Sequence, residues 1–525
     1  MRSIIKSLVA ATALAGTLAT SAAFAETCPN KGGTLVTWLG QTPRHLNPAV
    51  QSGVVTGAPG AQLFATPLRY TDGWEPEPYL AESVTTSDDG LTVTIKIRDN
   101  ANFHDGMPVT SEDVKFSVDT IKANHPFKTM FGPVESVETP DAKTAVLKLS
   151  KPHPALMLAM SSQLMSIIPK HVYGDGEDVK KHPKNSEGVV GSGPFKLVEF
   201  KRDQHVILER NDDYFMDGPC VDRIVMRIIK DQSAAAIGMQ NGELHMAPFM
   251  NTVRNIKRLK EADGVTVTAD GYAAIGALDW LAFNTKKGPL ADKRVRQAIA
   301  YSVDKKFIMN AIMQGLASEA KGPIHPGSPL ADGSLPGYDL DLDKAAMLLD
   351  EAGFPMKDGK RMDLSINFGW PSIKPQAEYV KAALKKVGIE VEVKASPDFP
   401  SWAKTVSSHD FDMTMDTVFN WGDPVIGVHR TYASSNIKKG VIWSNTQQYE
   451  NSRVDELMDM AGKETDPAKR KALYKEFQQI VSDELPVYWL NTLPYHTAYS
   501  DKVGNPVKGI WASSSPMDRV YLKAE

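Results

Sequence analysis

Apolar and polar positions alternate with a period of two through much of the first half of the chain. Leu91–Arg98, read LTVTIKIR, puts Val93, Ile95 and Ile97 on one side, the pattern of a half-buried strand. ESVETPDAKTAVLKLS (135–150) alternates on both sides of Pro140-Asp141 and predicts a hairpin turning there. GPFKLVEFKRDQHVILERN (193–211) predicts a second hairpin, turning near Arg202-Asp203, and GTLVTWLG (33–40) predicts a core strand. Up to about residue 275 the chain therefore reads as rich in antiparallel strands.

The period then changes. DKRVRQAIAYSVDKKFIMNAIM (292–313) carries Val295, Ile299, Val303 and Ile308 at helical spacing. DLDKAAMLLDEAGF is a helix stopping at Gly353. QAEYVKAALKKVGIEVEVKA is a helix, a stop at Gly388 and an alternating strand. DPAKRKALYKEFQQIVSDELP (466–486) is a long amphipathic helix with Leu473, Phe477 and Ile480 on its face. Helix and strand in alternation predict an α/β unit with a partly parallel sheet. LDWLAFNT (278–285) and LPVYWLNTLP (485–494) bracket that unit as extended, aromatic-bearing segments. Two such crossovers would join a second lobe twice to a first and permit hinge bending over a cleft.

A chain of 525 residues is too long for one hydrophobic core, which fits two or more domains. Arg2 and Lys6, an uncharged stretch from Ser7 and the Ala23-Phe24-Ala25 ending read as a secretory signal peptide over 1–25, cut before Glu26. An uncleaved anchor is the alternative, but Ala, Ser, Thr and Gly dominate the segment. The processed chain carries net charge −6 without a basic run, which argues against nucleic acid as a partner, and without a further long apolar run it is expected to be soluble. Export exposes Cys28 and Cys220, the two cysteines, to oxidation, so a disulfide between them is expected. Ala25-Glu26-Thr27 lacks the residues that lipidation at Cys28 requires.

Catalytic motifs are missing: there is no nucleophile elbow, P-loop, paired zinc histidines or CxxC, and no cofactor is expected. GVVGSGPF (188–195) lacks the lysine of a phosphate loop and reads as a turn entering a strand. DLDLDK (339–344) resembles the start of a calcium loop, but Lys344 stands where such a loop needs glycine and Asp350 where it needs glutamate. A helix N-terminus capped by aspartate accounts for it. In NFHDGMPVTSEDVKFS (102–117) the pair His104-Asp105 invites an acid-base reading. Asp105-Gly106-Met107-Pro108 makes a turn, however, and Thr110 with Asp113 makes a capping box for a helix bearing Val114, Val118 and Ile121.

LAESVTTSDDGLTVTIKIRDNANFHDGMPVTSEDVKFSVDTI (80–121) resembles the signature region of family 5 extracellular solute-binding proteins, the dipeptide, oligopeptide and nickel receptors of ABC importers. GSGPFKLVEFKRDQHVILERNDDYF, LAFNTKKGPLADKRVRQAIAYSVDKKFI, AAMLLDEAGF and NSRVDELMDMAGKETDPAKRKALYKEFQQIVSDELP extend the resemblance in order over nearly the whole processed chain. It implies an α/β type II periplasmic-binding-protein fold. The first lobe would hold 26–278 and 495–525, with a subdomain inserted at roughly 59–182; the second would hold 279–494, both crossovers included. It also implies a small solute held between the lobes, an inner-membrane ABC permease as partner and a monomer.

DTVFNWGDPVIGVHRTY (416–432) is the segment most informative about that solute. In peptide-binding relatives an acid three places before the acid-proline pair meets the peptide's ammonium. Here the pair is Asp423-Pro424 and the earlier position is Asn420, an amide that cannot neutralise an ammonium. Asp423 is the alternative partner, unless the solute has no free amine. Trp421 is a candidate stacking surface, Arg430 a candidate for a carboxylate or phosphate, and His429 a further donor. Trp370, after a probable strand, and Trp280, on the first crossover, complete the candidate set. The expected function is capture of a peptide or peptide-like solute and its delivery to a permease. An opine, a sugar conjugate or a metal chelate is the alternative solute, and a secreted hydrolase using His104 and Asp105 the distant one.

Overall fold

The computed structural model describes residues 28–507 and 509–524. The expected leader at 1–25 lies outside the described residues.

Ala81–Thr86, Thr92–Ile97, Thr144–Leu149 and Val134–Asp141 lie side by side in that order as an antiparallel sheet. The alternation in the sequence is the cause: Val93, Ile95 and Ile97 are all buried, as are Ala145, Leu147 and Leu149 opposite them. The hairpin turns at Ala142-Lys143, just beyond Pro140-Asp141, because Asp141 continues the strand and its side chain accepts the Lys143 N–H. Helix Ser111–Asn124 covers this sheet with Val114, Val118 and Ile121, and its capping box forms between Thr110 and Asp113 as read.

The second sheet has seven strands in the order Val265–Thr268, His496–Ser500, Met246–Met250, Thr34–Leu39, Arg223–Ile228, His205–Arg210 and Phe195–Lys201. It is mixed, not antiparallel throughout. Thr34–Leu39 runs parallel to both neighbours, since the chain leaves it on a long excursion that carries the four-stranded sheet before returning. Cys28 and Cys220 form the disulfide across 192 residues, with Cα atoms 5.3 Å apart, just before the adjacent inner strands Thr34–Leu39 and Arg223–Ile228. GVVGSGPF is a close backbone approach: a Cβ on Gly191 would lie 1.9 Å from the Leu63 carbonyl oxygen, and one on Gly193 2.3 Å from that of Gln62.

The third sheet runs Ile389–Ala395, Met362–Phe368, Met413–Phe419, Ala277–Phe283, Val487–Thr492. The first three strands are parallel, with helix Lys374–Lys385 as the crossover between two of them. The two bracketing segments are neighbours here, antiparallel, and their strands Ala277–Phe283 and Val487–Thr492 are buried at every residue. The helical spacing over 292–313 is carried by more than one helical piece: Lys293–Ser302 ends at Val303, and Asp304 caps a new turn by accepting the Lys306 N–H at 2.9 Å. Asp341 caps helix Leu342–Glu351 through the Lys344 N–H at 2.9 Å, which is what DLDLDK does. The apolar side chains of the four-stranded sheet and most of the seven-stranded one share a hydrophobic cluster, and those of the third sheet form another. Two cores joined by two crossing segments leave a seam between them.

Candidate functional site

Strand Met413–Phe419 leads straight into Asn420-Trp421-Gly422-Asp423, and this segment meets the four-stranded unit across the seam. Trp421 is 5% exposed and holds a left-handed backbone, φ 51°. Its ring lies 5.1 Å from Phe127 and 6.5 Å from Trp511, so it wedges into the other core and offers no open stacking face. Gly422 has no room for a side chain: a Cβ would sit 2.2 Å from Leu158, and its φ is +79°. Asn420 is committed as well. Its side-chain oxygen accepts the His325 N–H at 2.6 Å and its amide donates to the Pro323 carbonyl at 3.2 Å.

Asp423 is held bidentately by Arg470, at 2.8 and 2.9 Å, with both side chains buried. Burial pushes its carboxyl up, and the guanidinium more than reverses this, leaving it below the usual range. The charge is therefore matched within the chain. Asp423 also caps the turn Pro424–Gly427 through the Val425 N–H.

Arg430 differs from Arg470. Its Nε donates to the Gly427 carbonyl at 3.2 Å and its guanidinium lies 5.3 Å above the Phe127 ring, while no carboxylate among the described residues is within ion-pair range. Burial lowers it to about 10, opposed by Asp416, so it stays cationic at neutral pH. His429 faces Tyr474, Nε2 to hydroxyl 3.0 Å, and burial brings it down to about 4. It lines a cavity of about 650 Å³ between 129–153 and 425–462, bridged at the surface by Lys151 and Asp459 at 3.4 Å. A second gap of about 530 Å³ lies beside the crossovers, lined by Trp74, Tyr272, His325 and Tyr495.

A residue that did not stand out in the sequence organises the wall next to Arg430. Asp416 is buried in its strand, accepting the Trp370 indole N–H at 2.8 Å on one oxygen and that of Trp443 at 3.0 Å on the other. The Thr417 N–H adds a third bond at 2.8 Å. Burial nevertheless pushes Asp416 up to about 7. Phe399 stacks between the two indoles, 5.3 Å from Trp370 and 5.7 Å from Trp443, each at 29°. Trp280 pairs across the strands with Asp416 and with Trp489, and is 7% exposed in the second core. A signal for Asp416 existed: it is the one carboxylate inside the otherwise uncharged strand MTMDTVF.

Of the candidates, Arg430 and Trp370 thus share the surroundings of Asp416, His429 lies on the seam, Trp421, Asn420 and Asp423 are engaged within the chain, and Trp280 shares a sheet face with Asp416, its indole N–H without a hydrogen-bond partner among the described residues. His104 and Asp105 do not form a dyad. The His104 ring is buried between the Gly193 carbonyl (3.1 Å) and the Gly191 N–H (3.2 Å), and Asp105 bonds His171 at 2.8 Å. Asp175, Glu177 and His182 gather their ligand atoms within 4.8 Å. His182 already bonds Asp175 at 3.1 Å and the Lys184 N–H at 3.2 Å, which makes this a turn network.

A family model described as bacterial extracellular solute-binding proteins, family 5 Middle, matches residues 75–440. The chain is 29% identical over 532 residues to the Heme-binding protein A of Haemophilus influenzae, covering 95% of this chain and 94% of that one. It is 28% identical over 452 residues to the Oligopeptide-binding protein AppA of Bacillus subtilis, covering 81% of this chain and 79% of that one. Among solved structures, the ABC transporter substrate-binding protein CtaP of Listeria monocytogenes superposes with a TM-score of 0.81 at 26% identity, over 94% of this chain and 99% of that one.

Proposed function

This chain belongs to the bacterial extracellular solute-binding proteins of family 5, and from that premise we propose that it recognises its solute through an anionic group received by Arg430. The fold is the α/β type II periplasmic binding protein fold, and the chain acts as the solute-capturing receptor of an ABC import system, taking a peptide or peptide-like small solute between two lobes. Our reading assigns 26–278 and 495–525 to the first lobe, with an insertion at roughly 59–182, and 279–494 to the second. It further holds that the chain is exported, cut before Glu26, monomeric, free of catalytic activity and without affinity for nucleic acid.

One observation carries the reading. The acid of the NWGDP segment is neutralised by Arg470 and the position three before it is an amide engaged with the backbone, whereas Arg430 keeps a cationic, half-buried guanidinium with no ion-pair partner among the described residues. A half-buried cation without a counter-charge is costly, and a carboxylate or phosphate arriving with the solute would relieve that cost. The same observation supports a second reading, in which the solute has no free amine at all, as in an opine, a sugar conjugate or a metal chelate.

Closure then follows from differential contact: a solute touching both lobes stabilises the arrangement in which they meet. The test is thermal stabilisation across a library of anionic, zwitterionic and cationic solutes, since binding to the native state raises the melting temperature by mass action. Solutes with a carboxylate or phosphate should stabilise. Arg430→Met should weaken them about ten- to hundredfold without lowering the melting temperature of the free protein by more than a few degrees. Stabilisation by cationic solutes alone would refute the role of Arg430. N-acetylated against free dipeptides separates the two readings.

A further inference from the structure

The aromatic wall on Asp416 has features that packing alone does not demand. Trp370 and Trp443 remain 37% and 41% exposed, yet both N–H groups are tied to a single carboxylate, which fixes the ring planes. Trp443 holds φ 51°, a left-handed backbone that a bulky side chain adopts only when its surroundings impose it, and such strain gathers at ligand clamps. Phe399 completes a three-ring stack with the two partly exposed indoles.

The place of this stack in the fold matters. Met362–Phe368 and Met413–Phe419 are parallel, so Trp370, two residues past the first, lies at the sheet end from which Asn420-Trp421 crosses to the other core. The sheet face beneath is polar and incompletely matched. Asn367 pairs with Thr414 and Trp280 with Asp416, which puts all four side chains on one face. Both polar atoms of the Asn367 carboxamide and the Trp280 indole N–H are buried there without a hydrogen-bond partner among the described residues, although Asn367 and Trp280 are each only 7% exposed. Buried polar atoms left this way are rare, and they cluster where something else completes them. The Asp416 carboxyl also acts electrostatically on Arg430, whose guanidinium lies over Phe127 of the other core.

We propose that Trp370, Phe399 and Trp443, racked on Asp416, form the specificity subsite of this receptor for a planar aromatic ring of its solute, with Asn367 and Trp280 meeting that ring's polar substituents and Arg430 its carboxylate. The ligand class is an aromatic or heteroaromatic carboxylate. The inference rests on the receptor reading and narrows it. Stacking on fixed indoles favours flat, unsaturated rings, because the ring quadrupoles add to the apolar area buried, and rings held in advance lose little freedom on binding. The stacked arrangement does not enclose a cation on several sides, so a quaternary ammonium group fits it poorly.

The probes are N-acetyl-alanyl-phenylalanine and N-acetyl-alanyl-cyclohexylalanine, which differ in the flatness and unsaturation of one ring. Calorimetric titration of the whole chain should show the phenyl probe binding about three- to tenfold more tightly. That preference should fall to about one in Trp443→Leu and in Trp370→Leu. Phe399→Leu, which leaves both indole hydrogen bonds in place, should lower it in part and serves if either tryptophan variant fails to fold. Equal affinity of the wild type for both probes, or a preference kept in the variants, overturns the subsite. So does binding of other solutes but of neither probe, with the receptor reading intact. Binding of no anionic solute of any kind would instead remove the receptor reading on which the subsite rests.

Discussion

Asp416 is the residue on which the chemistry of the site turns, and its protonation is open to measurement. Burial pushes its carboxyl from the ordinary 3.8 to about 7, against three hydrogen bonds that favour the ionised form. Below the ordinary value the folded and unfolded states both hold the proton. Between there and about 7 only the folded state does, so this group makes stability fall as pH rises through that window, and the loss levels off above it. Tryptophan emission of the wild type should therefore titrate near pH 7, and the fall in melting temperature from pH 5 to pH 8 should shrink in Asp416→Asn; identical profiles in the two proteins would exclude the elevated carboxyl. Arg430 and Trp370 stand out in the sequence as candidates through residue chemistry, an arginine and a loop tryptophan being common at sites, and the fold sets both in the surroundings of Asp416. Sequence reasoning did not single out Asp416, because one acid in a strand reads as a solvent-facing position until the strand is known to be central. Nor could it tell that Trp421 is covered by Phe127 and Trp511, nearly 300 residues before it and 90 after it in the chain respectively.

At the scale of elements, local signals served well where neighbouring residues decide the outcome. The Thr110–Asp113 capping box, the Asp341 cap and the alternating strand Thr92–Ile97 are all set by contacts a few residues apart. They failed where a distant partner decides, as in the parallel pairing of Thr34–Leu39, and helical spacing alone leaves open the break at Val303-Asp304, where one helix ends and the cap opens another turn. The turn after strand Met413–Phe419 is the element on which the seam depends. Removing one half of the Asp423–Arg470 pair leaves the other charge buried, so Arg470→Met should cost about 3–5 kcal/mol in denaturant unfolding, and the double replacement Asp423→Asn with Arg470→Met distinctly less than the sum. Additive losses would mean the two side chains do not act as a pair. Gly422→Ala forces a methyl into Leu158 at a positive φ, and should lower the urea midpoint of the whole chain and weaken solute binding together.

For the molecule as a whole, the Cys28–Cys220 bridge closes a loop spanning much of the first core, and Cys28→Ser with Cys220→Ser should lower stability by about 2–4 kcal/mol while leaving solute affinity within twofold, since the bridge precedes two strands of the seven-stranded sheet whereas Asp416 belongs to the third sheet. A loss of affinity on that replacement would tie the bridge to the site after all. Two hydrophobic cores, two buried crossing strands and a seam carrying Trp421, Phe127 and Arg430 give a body suited to closing on a small solute. The most direct test of this account is native mass spectrometry of the purified full chain, followed by denaturation and identification of whatever small molecule it releases. The account predicts one solute per chain, bearing a carboxylate or phosphate, retained by the wild type and lost from Arg430→Met. A retained solute whose only charge is an ammonium group, held as tightly by Arg430→Met as by the wild type, would contradict it.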